Sequence, residues 1–245
     1  MREKVAGKYR LHIAQSVADL SAAQALRHRT FRGGADGTGL DADSFDALCD
    51  HILIETHKTG ELVACFRLMC LPDGAALQQS YSAQFYELSP LSDFDGPMVE
   101  MGRFCLAPEV HDPDILRLAW AALTAYVDEI GVKLLFGCSS FHGTDVLPYC
   151  DAFALLRDRH IGPARWRPKI KSSYVFPFAA KLRRKPDLKR AMVTLPPLLR
   201  SYLMLGGWVS DHAVIDRDLN TIHVFTGLEI AAVPPARARL LRLAR

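Results

Sequence analysis

The spacing of hydrophobic and polar residues changes along the chain, and each spacing predicts a type of element. Residues 16–31 begin with Ser16 and carry Asp19 three residues later. This pattern resembles a capping box, which satisfies backbone donors at a helix start, so we predict a helix here. Residues 52–69 contain two apolar runs around a polar turn, which predicts a β-hairpin.

A second helix signal lies at residues 112–131. Asp112 is a favourable N-cap, Pro113 suits the first helical position, and Gly131 suits the C-terminal end. The apolar run 133–138 predicts a buried strand parallel to the strand before the helix. Similar patterns predict two more helices and two more strands: residues 144–159, 196–205, 212–216 and 221–230. The order of elements predicts an α/β fold with a mixed sheet.

The predicted strand at residues 99–106 is unusual because it carries Glu100 and Arg103 among apolar residues. Charge is costly in a buried strand unless it is paired or used, so this run is either a structural ion pair or part of an active site. In a regular strand the two side chains would point to opposite faces. Gly102 would permit a bulge, so we predict irregular pairing near this glycine.

Composition limits the classes of protein to consider. The chain has 245 residues, 49% of them hydrophobic, and a formal net charge of +3, as expected for a globular protein with a substantial core. No apolar run approaches the ~20 residues of a membrane-spanning helix. No apolar leader follows Met1 and most of the six cysteines lie in apolar runs, so we predict a reduced cytoplasmic protein. A peripheral position at the inner face of the cytoplasmic membrane is the alternative. No cysteine or histidine spacing predicts a metal site.

Four features of the first half resemble one enzyme family. Residues 27–31, 50–53 and 100–105, together with Arg67 in the second hairpin strand, resemble the acyl-carrier-protein-dependent branch of the GNAT acyltransferases. That branch includes the acyl-homoserine lactone autoinducer synthases.

The second half is more specific. Residues 195–207 and 220–229 closely resemble the L-ornithine Nα-acyltransferases. The resemblance implies a single GNAT-like domain over residues 8–235, with a mixed central β-sheet flanked by helices and splayed central strands. A basic C-terminal tail, residues 236–245, follows; it is either a short interfacial helix or a solvated segment.

The resemblance also implies an activity. Such an enzyme moves a 3-hydroxyacyl chain from the phosphopantetheine of acyl carrier protein to the α-amine of L-ornithine, giving lyso-ornithine lipid in the first step of ornithine lipid synthesis. The carrier-bound thioester is then a co-substrate, and no permanently bound cofactor is expected. Glutamine or lysine in place of ornithine remains open, as does an autoinducer-synthase-like acyltransferase. A basic, non-catalytic peripheral membrane protein would explain the charge but not Glu100 and Arg103.

Candidate site residues follow from this chemistry. Glu100 is the expected general base, and Arg103 is expected to act beside it. Arg27, Arg67 and Arg103 would hold the substrate carboxylate or organise the acidic loop. Asp41, Asp43 and Asp46 would receive the side-chain ammonium of the substrate or act only as loop caps. The predicted substrate-binding residues are Arg27, Phe31, Asp41, Asp43, Asp46, Arg67, Ser139 and Ser140.

The donor is indicated by residues 108–114. This segment precedes the second predicted helix and has no glycine and three acidic residues, a poor cradle for the diphosphate of coenzyme A. Carrier-bound phosphopantetheine has no such diphosphate. An acidic carrier protein needs a basic surface, and an anionic membrane would use the same charges. No aromatic or groove-reading motif predicts nucleic-acid binding. The candidate surface residues are Arg165, Lys169, Lys171, Arg183 and Arg184.

Overall fold

The computed structural model describes residues 3–33 and 39–243. These divide into two compact units. Unit 1 comprises the described residues of Met1–Cys70, Met101–Val132 and Pro235–Arg245. Unit 2 comprises Leu71–Glu100 and Lys133–Pro234.

The elements combine short and long strands with helices of four to eighteen residues. The strands are β1 (Lys4–Ala6), β2 (Tyr9–Ile13), β3 (Asp50–Thr56), β4 (Leu62–Leu71), β5 (Tyr86–Glu87), β6 (Met98–Leu106), β7 (Leu134–His142), β8 (Lys169–Ile170), β9 (Val175–Phe176), β10 (Trp208–Asp216) and β11 (Thr221–Glu229). The helices are α1 (Val17–Phe31), α2 (Pro113–Ile130), α3 (Cys150–Arg159), α4 (Phe178–Lys181), α5 (Leu188–Thr194), α6 (Pro197–Met204) and α7 (Pro235–Leu243).

Unit 1 contains an antiparallel arrangement in the order β1-β2-β3-β4, with β6 following β4. Strands β3 and β4 form the predicted hairpin. Its register shifts between Ile54 and Glu55, so one residue is bulged there. A buried apolar cluster packs α1 on these strands through side chains that include Leu26, Leu53 and Cys65.

Unit 2 contains the mixed part of the sheet. Residues Met98–Glu100 of β6 pair in parallel with Leu134–Phe136 of β7. Strand β7 then pairs antiparallel with β11, and β10 lies between β11 and β9. The parallel β6–β7 pair and the α/β class are as predicted from the sequence.

The two helices with clear end signals form where the sequence places them. Ser16 and Asp19 make a complete capping box at the start of α1. Asp112 caps α2, Pro113 is its first residue, and Gly131 ends it in the left-handed conformation at φ 72°. Local chemistry alone is enough to set these boundaries.

Other boundaries differ from the predictions. The helix expected at residues 144–159 begins as a 3-10 turn, Leu147–Tyr149, and becomes α-helical only at Cys150. Two 3-10 segments, Gly74–Gln79 and Ser82–Gln84, lie in the stretch between β4 and β6. Strands β1 and β2 were not predicted, because three and five residues give too little periodicity to recognise.

The structure also bears on the expectations about membrane-spanning helices, the cysteines and the basic tail. Within the described residues, no helix is long and apolar enough to cross a bilayer. Cys65 and Cys105 are buried, whereas Cys70 is exposed. The basic tail forms α7, and Arg242 in it donates two 3.0 Å hydrogen bonds to Asp128 on α2.

Candidate active site

Two groups of buried charge contain the predicted catalytic residues Glu100 and Arg103, one group in each unit. In unit 1, three guanidinium groups meet three carboxylates; we call this group the ion-pair cluster. Its members are Arg27, Arg67, Arg103, Asp41, Asp43 and Asp46. In unit 2, the Glu100 carboxylate accepts hydrogen bonds from a turn; we call this group the Glu100 cradle.

Helix α1 positions Arg27 at the base of the ion-pair cluster, where it is 1% exposed. Its two terminal nitrogens donate to the two oxygens of Asp46 at 2.8 and 2.9 Å, a bidentate pair. Its Nε lies 3.2 Å from the Asp41 carboxylate. Gln24, one turn earlier on α1, also donates to Asp46 at 2.9 Å. Helix α1 therefore holds the acidic loop in place through contacts with Asp41 and Asp46.

Strand β4 contributes Arg67, which links two of the acidic residues. Its Nη1 donates to Asp43 at 2.5 Å and to Asp46 at 2.6 Å, and its Nη2 donates to Asp43 at 2.9 Å. The guanidinium also lies over the Phe45 ring, 5.6 Å from the ring centre. Arg67 is 3% exposed, so these bonds form away from bulk water.

Strand β6 contributes Arg103, whose backbone is left-handed at φ 55°. A non-glycine residue adopts this conformation only when its surroundings hold it there. Here Nε donates to Asp41 at 2.9 Å and Nη2 donates to Asp43 at 3.1 Å. The predicted irregularity in this strand is confirmed, but it falls on Arg103 and not on Gly102. The strand's simple alternation of faces is therefore interrupted between Glu100 and Arg103.

The charges of the ion-pair cluster stabilise one another. Burial by itself raises the pKa of Asp46, but hydrogen bonds from Arg27 and Gln24 outweigh it and hold the pKa well below its usual range. Burial also raises the pKa of Asp41, and the nearby Arg103 guanidinium reverses this so that the net shift is downward. Both carboxylates are thus ionised because their partners are in place.

These contacts limit how far each predicted substrate-binding residue is available to a ligand. The aspartates expected to receive an ammonium group already face arginines, and the side chains of Asp41 and Asp46 are 2% and 6% exposed. Asp43 is the most exposed of the three at 23%. Phe31 packs on the apolar cluster beneath α1. The arrangement makes Asp43 the aspartate best placed to meet a ligand.

The Glu100 cradle is formed by residues 81 and 82. Glu100 is 4% exposed. One of its oxygens accepts the Tyr81 backbone N–H at 2.7 Å; the other accepts the backbone N–H and hydroxyl of Ser82 at 2.8 and 2.5 Å. Three donors of this kind stabilise the ionised carboxylate. Glu100 is thus held in the form that accepts a proton.

Polar and aromatic side chains surround this cradle in unit 2. The Ser82 hydroxyl lies 3.5 Å from the Cys138 sulfur on β7. Burial raises the pKa of Tyr202 on α6, and the charge of Glu100 raises it further. The Tyr202 hydroxyl is therefore neutral in the electrostatic environment of the carboxylate.

A buried polar pair in unit 2 joins β5 to β11. The Tyr86 hydroxyl is 3.1 Å from His223 Nδ1 and donates to the His223 carbonyl at 2.9 Å. Burial, with a contribution from His212, lowers the pKa of His223 to about 3, so this imidazole is neutral at physiological pH. A neutral, hydrogen-bonded histidine supports the packing of β5 on β11.

The two predicted serines lie within β7, since that strand runs on to His142. Ser139 is 5% exposed, and its hydroxyl accepts a 2.9 Å hydrogen bond from Thr226 on β11. Ser140 is exposed and pairs in register with His223. Successive strand residues face opposite sides of the sheet, so the structure separates the two serines.

The predicted basic surface divides between two places in unit 2. Lys169 lies on β8, which pairs with β5, and Lys171 donates to the Ala83 carbonyl at 2.6 Å. These two lysines are therefore attached to the segment that forms the Glu100 cradle. Arg184, by contrast, forms an ion pair with Asp151 on α3. Two further members are exposed, as predicted: Arg165 and Arg183.

The N-terminus of α2 is capped by an acidic residue, Asp112. The Asp112 carboxylate accepts the Asp114 backbone N–H at 2.9 Å and the Tyr9 hydroxyl at 2.9 Å, and it lies 2.8 Å from the Lys8 ammonium. Hydrogen bonds from Lys8 and from this backbone N–H lower the pKa of Asp112 to about 2. A protein carboxylate thus occupies the place where a helix N-terminus can hold a phosphate.

Sequence reasoning missed the donors to Glu100. Two of the three are backbone N–H groups, which every non-proline residue carries, so no residue type signals them. The remaining donor, Ser82, lies in a loop-rich segment, 18 residues before Glu100. Only the turn Ser82–Gln84 brings it to the carboxylate.

Comparison with known proteins places this chain in a family. Residues 26–121 match the acetyltransferase (GNAT) domain. An L-ornithine N(alpha)-acyltransferase from Rhodobacter capsulatus is 32% identical over 238 residues, covering 92% of this chain and 91% of that protein. The chain belongs to the L-ornithine N(alpha)-acyltransferase family. Another such protein, from Rhizobium meliloti, is 31% identical over 244 residues, 90% of this chain and 80% of its own length. The solved N-acyl amino acid synthase from uncultured soil microbes is similar at a TM-score of 0.49 and 11% identity, over 94% of this chain and 93% of its own.

Family membership confirms the resemblance drawn from residues 195–207 and 220–229. It makes this chain an amino-acid N-acyltransferase with a GNAT-like α/β fold.

Proposed function

We propose that this enzyme transfers a 3-hydroxyacyl group from acyl carrier protein to the α-amine of L-ornithine, forming lyso-ornithine lipid in the cytoplasm. The observation that carries the proposal is similarity over 92% of the chain to a relative named for ornithine acylation. The Glu100 cradle supports it, because aminolysis needs a group that takes a proton from the substrate ammonium.

Glu100 is the proposed base. An amino acid enters as an ammonium ion, which has no lone pair for attack until it loses a proton. An ionised carboxylate that is 4% exposed and fixed by three donors can accept that proton with little reorganisation. Ser82 is then a positioning residue, because it acts through Glu100.

The remaining steps complete the exchange. The amine nitrogen attacks the thioester carbonyl, a C–N bond forms, and the C–S bond breaks. The carrier phosphopantetheine leaves as a thiol once its sulfur takes a proton. The products are an amide and free carrier protein, so no oxidant or reductant is needed.

The ion-pair cluster is the proposed binding region for the charged ends of the amino acid. Asp43, with 23% of its side chain exposed, is the carboxylate proposed to meet the side-chain ammonium. Arg67 and Arg103 both donate to Asp43, so they fix its orientation. We assign Arg103 to the catalytic region as well, since it follows Glu100 by three residues on β6.

Two observations support a carrier protein as donor. The Asp112 carboxylate at the start of α2 disfavours the diphosphate of coenzyme A, because like charges repel. Lys169 and Lys171 are attached to the segment carrying the Glu100 cradle, so an acidic carrier bound to them would approach that segment.

A direct assay tests the function. The purified enzyme is incubated with a 3-hydroxyacyl carrier protein and, in separate reactions, with ornithine, lysine, glutamine or S-adenosylmethionine, and products are identified by mass. We expect an Nα-acylornithine. The same acyl group on coenzyme A serves as the donor control and should react more slowly.

The outcomes separate the alternatives. Preferential acylation of lysine or glutamine would retain the chemistry and replace the substrate. A lactone from S-adenosylmethionine would favour the autoinducer-synthase alternative. Formation of no amide with any acceptor would refute the proposal.

A further inference from the structure

The segment 181–194 of unit 2 has a surface that the acylation chemistry does not use. It carries six cations and a single carboxylate, Asp187. The cations, all exposed, are Lys181, Arg183, Arg184, Lys185, Lys189 and Arg190. Six cations and one carboxylate give the segment a formal net charge of +5.

The same segment exposes apolar side chains on α5. Leu188 is 45% exposed, Met192 is 47% exposed and Val193 is 77% exposed. The helix packs on the core of unit 2 through Ala191, which is fully buried. Its apolar surface is therefore wider than the face that the core covers, and cations lie between the exposed apolar residues.

The segment is also held in place before any partner binds. Arg157 on α3 donates to the Leu182 carbonyl at 2.6 Å and to the Arg184 carbonyl at 2.9 Å. The Asp187 backbone N–H donates to Asp151 on α3 at 3.0 Å. Asp187 in turn caps α5 through the backbone N–H groups of Lys189 and Arg190. A partner thus meets a prearranged surface and pays little conformational entropy to order it.

We infer that segment 181–194 binds an anionic bilayer surface. Exposed Leu, Met and Val side chains can each insert into the acyl-chain region of the bilayer, while lysines and arginines contact the lipid phosphates. Each cation near such a surface strengthens binding about fivefold. The purpose of this contact rests on the proposed function, because an acylated amino acid is a membrane lipid; the binding itself does not.

An acidic protein is the less favoured partner. Such a partner would need pockets for three apolar side chains that project from a helix of only seven residues. A bilayer needs no matching pockets. The lysines attached to the Glu100 cradle, Lys169 and Lys171, lie outside this segment and remain available for a carrier protein.

Vesicle sedimentation tests the inference without any substrate. The full chain is mixed with sucrose-loaded vesicles of phosphatidylcholine containing phosphatidylglycerol, and with vesicles of phosphatidylcholine alone. We expect binding to the anionic vesicles only, weakened by salt. The variant K185E/K189E should reduce binding by at least about 25-fold, since it reverses two cations. M192Q/V193Q should reduce it about tenfold or more, since it removes apolar burial.

Matched controls are available on α7. That helix carries exposed Arg237 and Arg239, and Leu240 is 59% exposed. R237E/R239E changes the net charge by the same amount as K185E/K189E, and L240Q removes a comparable apolar side chain. Both controls should bind vesicles like the wild type. An unchanged Tm for all four variants verifies that each is folded.

Three results would overturn the inference. The wild type does not sediment with anionic vesicles; or the α7 controls lose as much binding as the α5 variants; or M192Q/V193Q converts a dimer to a monomer in light scattering, which would make a second copy the occupant. A K185E/K189E variant that binds vesicles normally but has a raised KM for the carrier protein would assign the segment to the carrier. Failure of vesicle binding with normal amide formation would leave the proposed function intact.

Discussion

The ion-pair cluster and the Glu100 cradle hold buried carboxylates in two different ways. In the cluster, Asp46 faces two arginines, and opposite charges neutralise each other. In the cradle, Glu100 accepts two backbone N–H groups and one hydroxyl at 2.5 to 2.8 Å. Both arrangements stabilise an anion; the arginine donors of the cluster carry formal positive charge, and these three donors to Glu100 do not.

This difference implies different tasks. A carboxylate locked between guanidinium groups is a poor proton acceptor, because accepting a proton would leave its buried partners uncompensated. A carboxylate held by neutral dipoles can gain a proton and lose only part of its hydrogen-bond energy. The cluster therefore suits scaffolding and charge recognition, and the cradle suits proton transfer.

The largest expected effect comes from removing the proposed base. Glu100→Gln should lower kcat by about 100- to 10,000-fold, because the amide cannot accept the amine proton. The new NH2 group faces a donor in the cradle, so the free energy of unfolding should fall by about 1–3 kcal/mol. Steady-state kinetics and urea unfolding measure the two effects. Glu87→Gln, at a partly exposed glutamate that accepts a backbone hydrogen bond from Ser89, is the control; unchanged turnover of Glu100→Gln would refute the assignment.

The next effect is on stability in the ion-pair cluster. Arg27→Met removes the bidentate one of the two arginine partners of Asp46 and leaves buried carboxylate charge undercompensated, so the free energy of unfolding should fall by about 3–5 kcal/mol. Arg117→Met is the control, because the Arg117–Asp114 pair is exposed and should contribute less than about 1 kcal/mol. Urea unfolding compares them. A stable Arg27→Met enzyme with a raised KM for the amino acid would show that Arg27 holds substrate and not structure.

Some features of the fold and of the two charge groups could be predicted from the sequence. The signals at Ser16 and Asp112 are local, so α1 and α2 could be placed from the sequence. The charges of Arg67 and Arg103 stand out because they interrupt apolar strands. Their importance was therefore predictable, as was an irregular backbone next to Gly102.

The partners of those charges were not predictable, because they depend on distant segments. Arg103 pairs with Asp41, 62 residues away, and Glu100 depends on a turn at Ser82. The full length of β7 was also missed, since the polar pair Ser139 and Ser140 seemed to end a strand that continues to His142. Tertiary contacts set these features, and no local pattern records them.

Acid should weaken the ion-pair cluster. The pKa values of Asp41 and Asp46 in the folded chain lie below the value of about 3.9 expected for an unfolded aspartate. The unfolded chain therefore binds more protons as the pH falls. Stability from these groups is complete above about pH 5 and is lost as the pH falls through their folded-state pKa values, by up to about 1.4 kcal/mol per pH unit for each group.

Urea unfolding across this acidic range measures that slope. Asp46→Asn should be less stable at neutral pH and should show a shallower decline in acid, because one titrating group is gone. Asp95→Asn, at a side chain that is 97% exposed, should keep the wild-type slope. An equal slope in Asp46→Asn and the wild type would show that the cluster does not control acid stability.

The smallest expected effect sharpens the role of Ser82. Ser82→Ala removes one of three donors to Glu100, so kcat should fall about tenfold while the backbone donors still hold the carboxylate. The lost donor favoured the ionised form, so the acid limb of the pH–rate profile should move to higher pH. Ser92→Ala removes a 2.8 Å hydrogen bond to the Ser89 carbonyl in an exposed turn and should change neither quantity. A lower Tm with an unmoved pH profile would make Ser82 a packing residue, because only a donor that acts through Glu100 moves the pH at which the base loses its proton.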